Sequence, residues 1–118
     1  VNGVKLIRDK NYNPYCNGVT RMSLNFFNHL YEKGYFTEDE VYRADLKYHT
    51  KNGYSMTIHT RDGYKFVFHG VSFGYSGEGS RGSQEILNKL GFNNSHRVLD
   101  FRNHFRKKDE IKFYKRVG

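Results

Sequence analysis

Apolar and polar residues alternate most clearly along 45–50, 54–60 and 64–69. A period of two is the signature of strands with one buried face. The runs are separated by Lys51-Asn52-Gly53 and Arg61-Asp62-Gly63. Asn-Gly and Asp-Gly favour hairpin turns because both residues tolerate positive φ. Pairing Thr50 with Tyr54 sets Leu46 against Ile58 and Tyr48 against Met56. Pairing Thr60 with Tyr64 sets Ile58 against Phe66 and Met56 against Phe68. All of these residues then share one face, so a three-stranded antiparallel meander is predicted. Its other face carries Lys47, His49, Ser55, Thr57, His59 and Lys65, read as a polar, partly exposed surface.

The flanking segments change period. Leu24, Phe27, Leu30 and Tyr31 follow helical spacing, predicting a helix from Thr20 or Ser23 to Lys33, with Gly34 at its left-handed cap. Thr37 with Glu40 makes a capping-box pattern that should open a short helix through Val41 and Tyr42. The apolar stretch 4–7 reads as a short strand before a turn-rich loop. After the meander, a helix over 83–90 is expected, capped by Ser83 and ended by Gly91. A further helix is expected from Ser95 to Phe105 or Arg106, with Val98, Phe101 or Arg102, and Phe105 in step. The tail 111–117 alternates again and reads as a closing strand. The expectation is a single α+β domain over 1–118: an antiparallel β-meander packed with about three to four short helices.

Composition adds a charge and a compartment. The chain has 118 residues, with 20 Lys and Arg against 12 Asp and Glu, a formal charge of +8. Such a surplus favours anionic partners without naming one, and it also serves solubility. The apolar fraction is only 36%, offset by 10 Tyr and 10 Phe. A small core built from large rings leaves ring surface exposed, which makes a homo-oligomer the expected state. Cys16 has no second cysteine to pair with, and no apolar run has the length of a membrane span. A reducing cytoplasm is the natural setting.

The glycine-rich segment 70–82 is the main candidate for chemistry. Gly70, Gly74, Gly77, Gly79 and Gly82 lie between a predicted strand and a predicted helix. Glycine lets backbone approach a ligand, and a helix N-terminus offers unpaired N–H groups to a phosphate. Arg81 is placed to add a bidentate contact. Gly77-Glu-Gly-Ser-Arg-Gly82 matches G-x-G-x-x-G, but an antiparallel meander precedes it, so a dinucleotide-binding βαβ unit is excluded. Arg81 stands where a P-loop needs Ser or Thr, with no Lys before it, so hydrolysis of that kind is not expected. An ordinary loop leading into a helix remains the plain reading, although Phe73 and Tyr75 are unusual in a flexible linker. Downstream, Arg102 and Arg106 are i, i+4 neighbours on the predicted helix, with Arg97 and Lys108 extending the charge. They read either as a phosphate clamp or as a solvated face.

Catalytic patterns are weak. The adjacent pairs His49-Thr50 and His59-Thr60 lack the His-x-Thr spacing of two-histidine phosphoesterases, because neighbouring strand residues point to opposite sides. In the register above, His49 and His69 both flank Ser55, too far apart to share a metal. Cys16 has no motif around it, and Glu78 has no evident partner. Neither an enzyme nor a cofactor is expected. A small basic DNA- or RNA-binding protein is the alternative, and a nucleotide hydrolase a weaker third.

The stretch from Phe73 to Phe92, behind a meander and ahead of an Arg-bearing segment, resembles the phage anti-Thoeris sponge proteins of the first described type. The likeness spans 54–106 and rests on the Gly-Glu-Gly-x-x-Gly turn; Ser80 stands where many relatives carry proline. It implies a non-catalytic protein that sequesters cyclic ADP-ribose isomers made by TIR-domain defence enzymes in an infected bacterial host. A separate site for cyclic oligonucleotides occurs in some members. By residue type, Phe73 or Tyr75 would stack on adenine. Gly77, Gly79, Ser80 and Arg81 would hold phosphate, and Arg102 or Arg106 would complete the pocket, from a neighbouring subunit if the protein is oligomeric.

Overall fold

A computed structural model describes residues 5–8, 20–49, 53–74, 77–100 and 110–115. Along the chain come β1 (Lys5–Arg8), α1 (Thr20–Glu32), β2 (Val41–His49), β3 (Gly53–Thr60), β4 (Tyr64–Phe68), α2 (Glu78–Lys89), a 3₁₀ helix (Ser95–Leu99) and β5 (Glu110–Tyr114). The strands form one five-stranded sheet in the order β1-β4-β3-β2-β5. The alternating runs build its centre, and β4-β3-β2-β5 is antiparallel throughout. β1 adds a parallel edge against β4, pairing Lys5 with Tyr64 and Arg8 with Val67. The α+β class follows, with two α-helices and one 3₁₀ helix among the described residues, fewer helices than the periodicity predicts.

One sheet face makes the core. Leu46, Met56, Ile58, Phe66, Phe68, Ile111 and Phe113 are buried there against Phe27 and Leu30 of α1 and Ile86, Leu87 and Leu90 of α2. Phe36 joins the rings, 4.9 Å from Phe66 and 5.6 Å from Phe27 between centroids. The second hairpin has the expected register, Ile58 opposite Phe66 and Met56 opposite Phe68. The first is shifted by two residues: Leu46 faces Met56, Tyr48 faces Tyr54 and Ala44 faces Ile58. Gly53 (φ +71°) enters the ladder opposite His49, so the pairing closes earlier than Thr50–Tyr54 would allow. A slip of two keeps every side chain on its face, which is why the predicted apolar set survives it.

Both glycine stops hold. Gly34 (φ +78°) and Gly91 (φ +79°) end α1 and α2, with Tyr35 N–H bonded to the Leu30 carbonyl and Phe92 N–H to that of Leu87. These six-to-one bonds, with Gly34 N–H on Tyr31 and Gly91 N–H on Asn88, are Schellman motifs.

Three expected helices change. The Thr37–Glu40 box forms: Thr37 N–H donates to Glu40 Oε1 at 3.0 Å and Glu40 N–H to Thr37 Oγ1 at 3.3 Å. It closes a single turn, because Val41 at once pairs with Thr60 and starts β2. α2 begins at Glu78 instead of Ser83. Ser83 is buried inside the helix, and its hydroxyl donates to the Ser72 carbonyl at 2.7 Å rather than capping. The helix expected from Ser95 is a short 3₁₀ turn, with Asp100 already extended (φ −79°, ψ 110°). Arg102 and Arg106 lie outside the described residues, as do Phe101 and Phe105. No helix among the described residues is long and apolar enough to cross a membrane.

Candidate functional site

The glycine-rich segment divides into a strap and a helix start. Along 70–74 the backbone runs buried between the two helices. Thr20 Oγ1 donates to the Gly70 carbonyl at 2.6 Å, and Gly70 N–H donates to Ser23 Oγ at 2.8 Å. On the other side, Ser72 N–H reaches the Gly79 carbonyl at 3.1 Å, and Gly74 N–H reaches that of Val98 at 2.7 Å. Hydroxyls and carbonyls thus tie the strap to α1, α2 and the 3₁₀ helix, satisfying backbone groups that burial would otherwise strand.

Gly82 explains how closely the helices approach. A Cβ there would stand 2.7 Å from Thr20 Cγ2 and 3.3 Å from Val71 Cγ1. Thr20 cannot swing away without losing its bond to Gly70, so this glycine serves packing. Gly79 and Gly82 lie within the first turns of α2, despite their poor helix propensity.

A trough remains open between α1 and α2. One part, of about 510 Å³, is lined by Leu24, Gly77, Glu78, Arg81, Gly82 and Glu85. A second, of about 360 Å³, shares Leu24, Glu78 and Glu85 and adds Arg21, Asn25 and Asn28. Gly77 is the N-cap of α2, in extended conformation (φ −144°), and among the described residues no side chain caps the helix there. The first N–H groups and the positive end of the dipole therefore lie at the wall of this trough. Arg81 is exposed on the same wall, and Glu78 is the one acidic residue in the first turn. Lys89 Nζ donates to Asn28 Oδ1 at 2.7 Å, a clasp from α2 to α1.

The structure brings some of the predicted site residues together and separates others. Gly77 and Arg81 line the trough. Gly79 is half-buried in the first turn of α2. Ser80 is fully buried, its hydroxyl 3.4 Å from that of Ser72, so its side chain faces the strap. Phe73 is also fully buried and meets Tyr54 edge-on at 5.5 Å, so its ring is part of the core here. Tyr75, Arg102 and Arg106 lie outside the described residues. Sequence reasoning passed over Arg21, Asn25, Asn28 and Glu85. The signal was present: Arg21, Asn25 and Asn28 follow i, i+4, i+7 spacing beside the buried stripe of Ser23, Phe27 and Leu30.

The far sheet face is less exposed than its residue types suggest. His59 and His69 retain 9% and 8% of their accessible surface, and Asp45 retains 3%. The Asp45 carboxylate accepts Arg43 Nε at 2.8 Å and His59 Nε2 at 3.1 Å. Its hydrogen bond raises the Arg43 pKa above the ordinary value. For His59 burial outweighs the attraction of Asp45, and the pKa falls below 6.5. The imidazole is therefore neutral at neutral pH and donates Nε2–H to a carboxylate already neutralised by Arg43. The His59–Asp45 contact is diagonal, since His59 stands opposite Arg43 in the ladder. Among the described residues, no group of three or more His, Cys, Asp or Glu side chains is placed to hold a metal.

No family model matches the chain, and neither a curated protein nor a solved structure matches it significantly.

Proposed function

We propose that this protein captures a cyclic ADP-ribose type signalling nucleotide in the trough between α1 and α2 and holds it unchanged, blocking TIR-based antiphage defence. The observation that carries the binding reading is the uncapped start of α2 at Gly77, opening beside Arg81 on a cavity of about 510 Å³. A pyrophosphate there would accept from first-turn N–H groups and from the Arg81 guanidinium, a charge-assisted arrangement. Glu78 and Glu85 are the internal competitors, two carboxylates on the same lining, so binding should push them aside. The ligand identity and the host setting come from the resemblance of the 73–92 stretch to the sponge family.

Incubation with cyclic ADP-ribose isomers, removal of free ligand and heating should return intact ligand from the denatured protein. Return of a cleaved product would mean an enzyme, and no retention at all would sink the reading. Arg81→Ala should weaken retention roughly ten- to a hundredfold, the range for losing a hydrogen bond to a charged group. Native mass spectrometry of the same mixture reads stoichiometry, and a 1:1 complex of monomer and ligand would remove the need for an oligomeric pocket.

A further inference from the structure

The trough has two chemically different ends. Beside Gly77 and Arg81 it offers first-turn N–H donors and one guanidinium, with Glu78 and Glu85 on the same lining. Towards Asn25 and Asn28 it offers side-chain amides, with the Glu85 carboxylate on the facing wall and Arg21 at the same end. Asn25 and Asn28 lie one turn apart on α1, while Glu78, Arg81 and Glu85 follow i, i+3, i+7 along α2. The two stripes therefore face each other across Leu24.

Ionised carboxylates only accept hydrogen bonds, and amides both donate and accept. That combination suits adjacent hydroxyl groups, each of which donates one hydrogen bond and accepts others. A second phosphate fits less well there, because Gly77 and the start of α2 line only the other end and do not offset Glu78 and Glu85. The partly apolar floor at Leu24 suits the C–H face of a sugar ring.

We infer that the Asn25–Asn28–Glu85 end of the trough is a sugar subsite that binds a vicinal diol, so that the site selects a ribosyl phosphate over phosphate alone. This rests on the phosphate end assigned above, and it names the part of the ligand that the phosphate end leaves unread. Glu85 and Asn25 are the specificity-determining residues, and Arg81 supplies affinity common to every phosphate.

Calorimetric titration with ribose 5-phosphate, 2-deoxyribose 5-phosphate and inorganic phosphate tests the assignment. Ribose 5-phosphate should bind at least about tenfold tighter than either of the others, because each hydrogen bond to a charged group is worth that much or more. Asn25→Ala should abolish this preference while leaving inorganic phosphate binding unchanged, and Glu85→Ala should abolish it without weakening inorganic phosphate, since a carboxylate leaves the lining. Both positions are exposed, so thermal unfolding of the variants should match the parent protein. Equal affinity for the three probes, with cyclic ADP-ribose still retained, would overturn the sugar subsite and leave the capture reading standing. Failure of the probes and of cyclic ADP-ribose alike would overturn both.

Discussion

The meander of β2, β3 and β4 and the glycine-rich segment 70–82 are neighbours in sequence and opposites in how they encode structure. In the meander each residue's role follows from its parity. Leu46, Met56, Ile58, Phe66 and Phe68 are all fully buried, and even a two-residue slip in one hairpin leaves that assignment intact. In the glycine-rich segment, four of the five glycines each do a different job. Gly70 gives backbone hydrogen bonds to α1, and Gly74 turns with φ +93°. Gly77 opens α2 in an extended conformation, and Gly82 makes room for Thr20. A periodic pattern carries its own explanation, whereas a glycine is explained by whatever lies opposite it.

The largest effect that should separate the two regions is core truncation. Phe66 is fully buried between Phe36 and Tyr64 rings at 4.9 Å and 5.9 Å. Phe66→Ala should cost about 3–5 kcal/mol in urea unfolding, the usual range for a large ring removed from a core. No glycine substitution in the strap should approach that. A loss under about 1 kcal/mol would mean that the ring is not part of the fold's main core.

Next comes Gly82. An added methyl overpacks the contact with Thr20 Cγ2, at about 1–3 kcal/mol, while alanine regains about 1 kcal/mol of helix propensity. Gly82→Ala should therefore be net destabilising by about 1 kcal/mol. Thr20→Ser deletes the opposing methyl and keeps the hydroxyl that binds Gly70. In that background Gly82→Ala should become neutral or stabilising, a coupling that a double-mutant cycle reads directly. At Gly34 the reason for glycine is different. Nothing lies within 4 Å of an added Cβ, but φ is +78°. Gly34→Ala should cost about 1 kcal/mol from the left-handed conformation alone, and Gly34→Asn less. If both glycines responded alike to every substitution, the distinction between close packing and backbone handedness would fail.

The same contrast sets how much was legible in the sequence. The meander, α1, the tail strand and both glycine stops were readable, because each depends on residues a few positions apart. The capping box was readable too, yet the helix it promised gave way to Val41 pairing with Thr60, a contact across eighteen intervening positions. Ser83 looked like a cap because its buried partner, the Ser72 carbonyl, comes from the strap and not from the helix. The trough was half legible. Motif and charge single out Arg81 and Gly77, while Asn25 and Asn28 become neighbours of that motif only when α1 packs beside α2, and Glu85 joins Arg81 on one face only because α2 begins at Glu78. Of the two rings the resemblance offers to adenine, Phe73 and Tyr75, tertiary packing sets that of Phe73 against Tyr54.

The smallest effect concerns the far sheet face, where residue type also misled. His59 reads as a surface histidine, but burial lowers its pKa below 6.5 against the pull of Asp45. The unfolded chain then binds more protons than the folded one as pH drops through the ordinary histidine range. Stability should be complete above that range and decline as pH falls through the depressed folded value. Urea midpoints measured between about pH 8 and pH 5 should show this, and His59→Gln should remove it, since glutamine keeps a donor for Asp45 without titrating. The informative quantity is the difference between the two proteins at each pH, which cancels the other five histidines. A difference that instead favours the parent protein on acidification would show that Asp45 outweighs burial. His59 would then be held as a cation, ion-paired with Asp45.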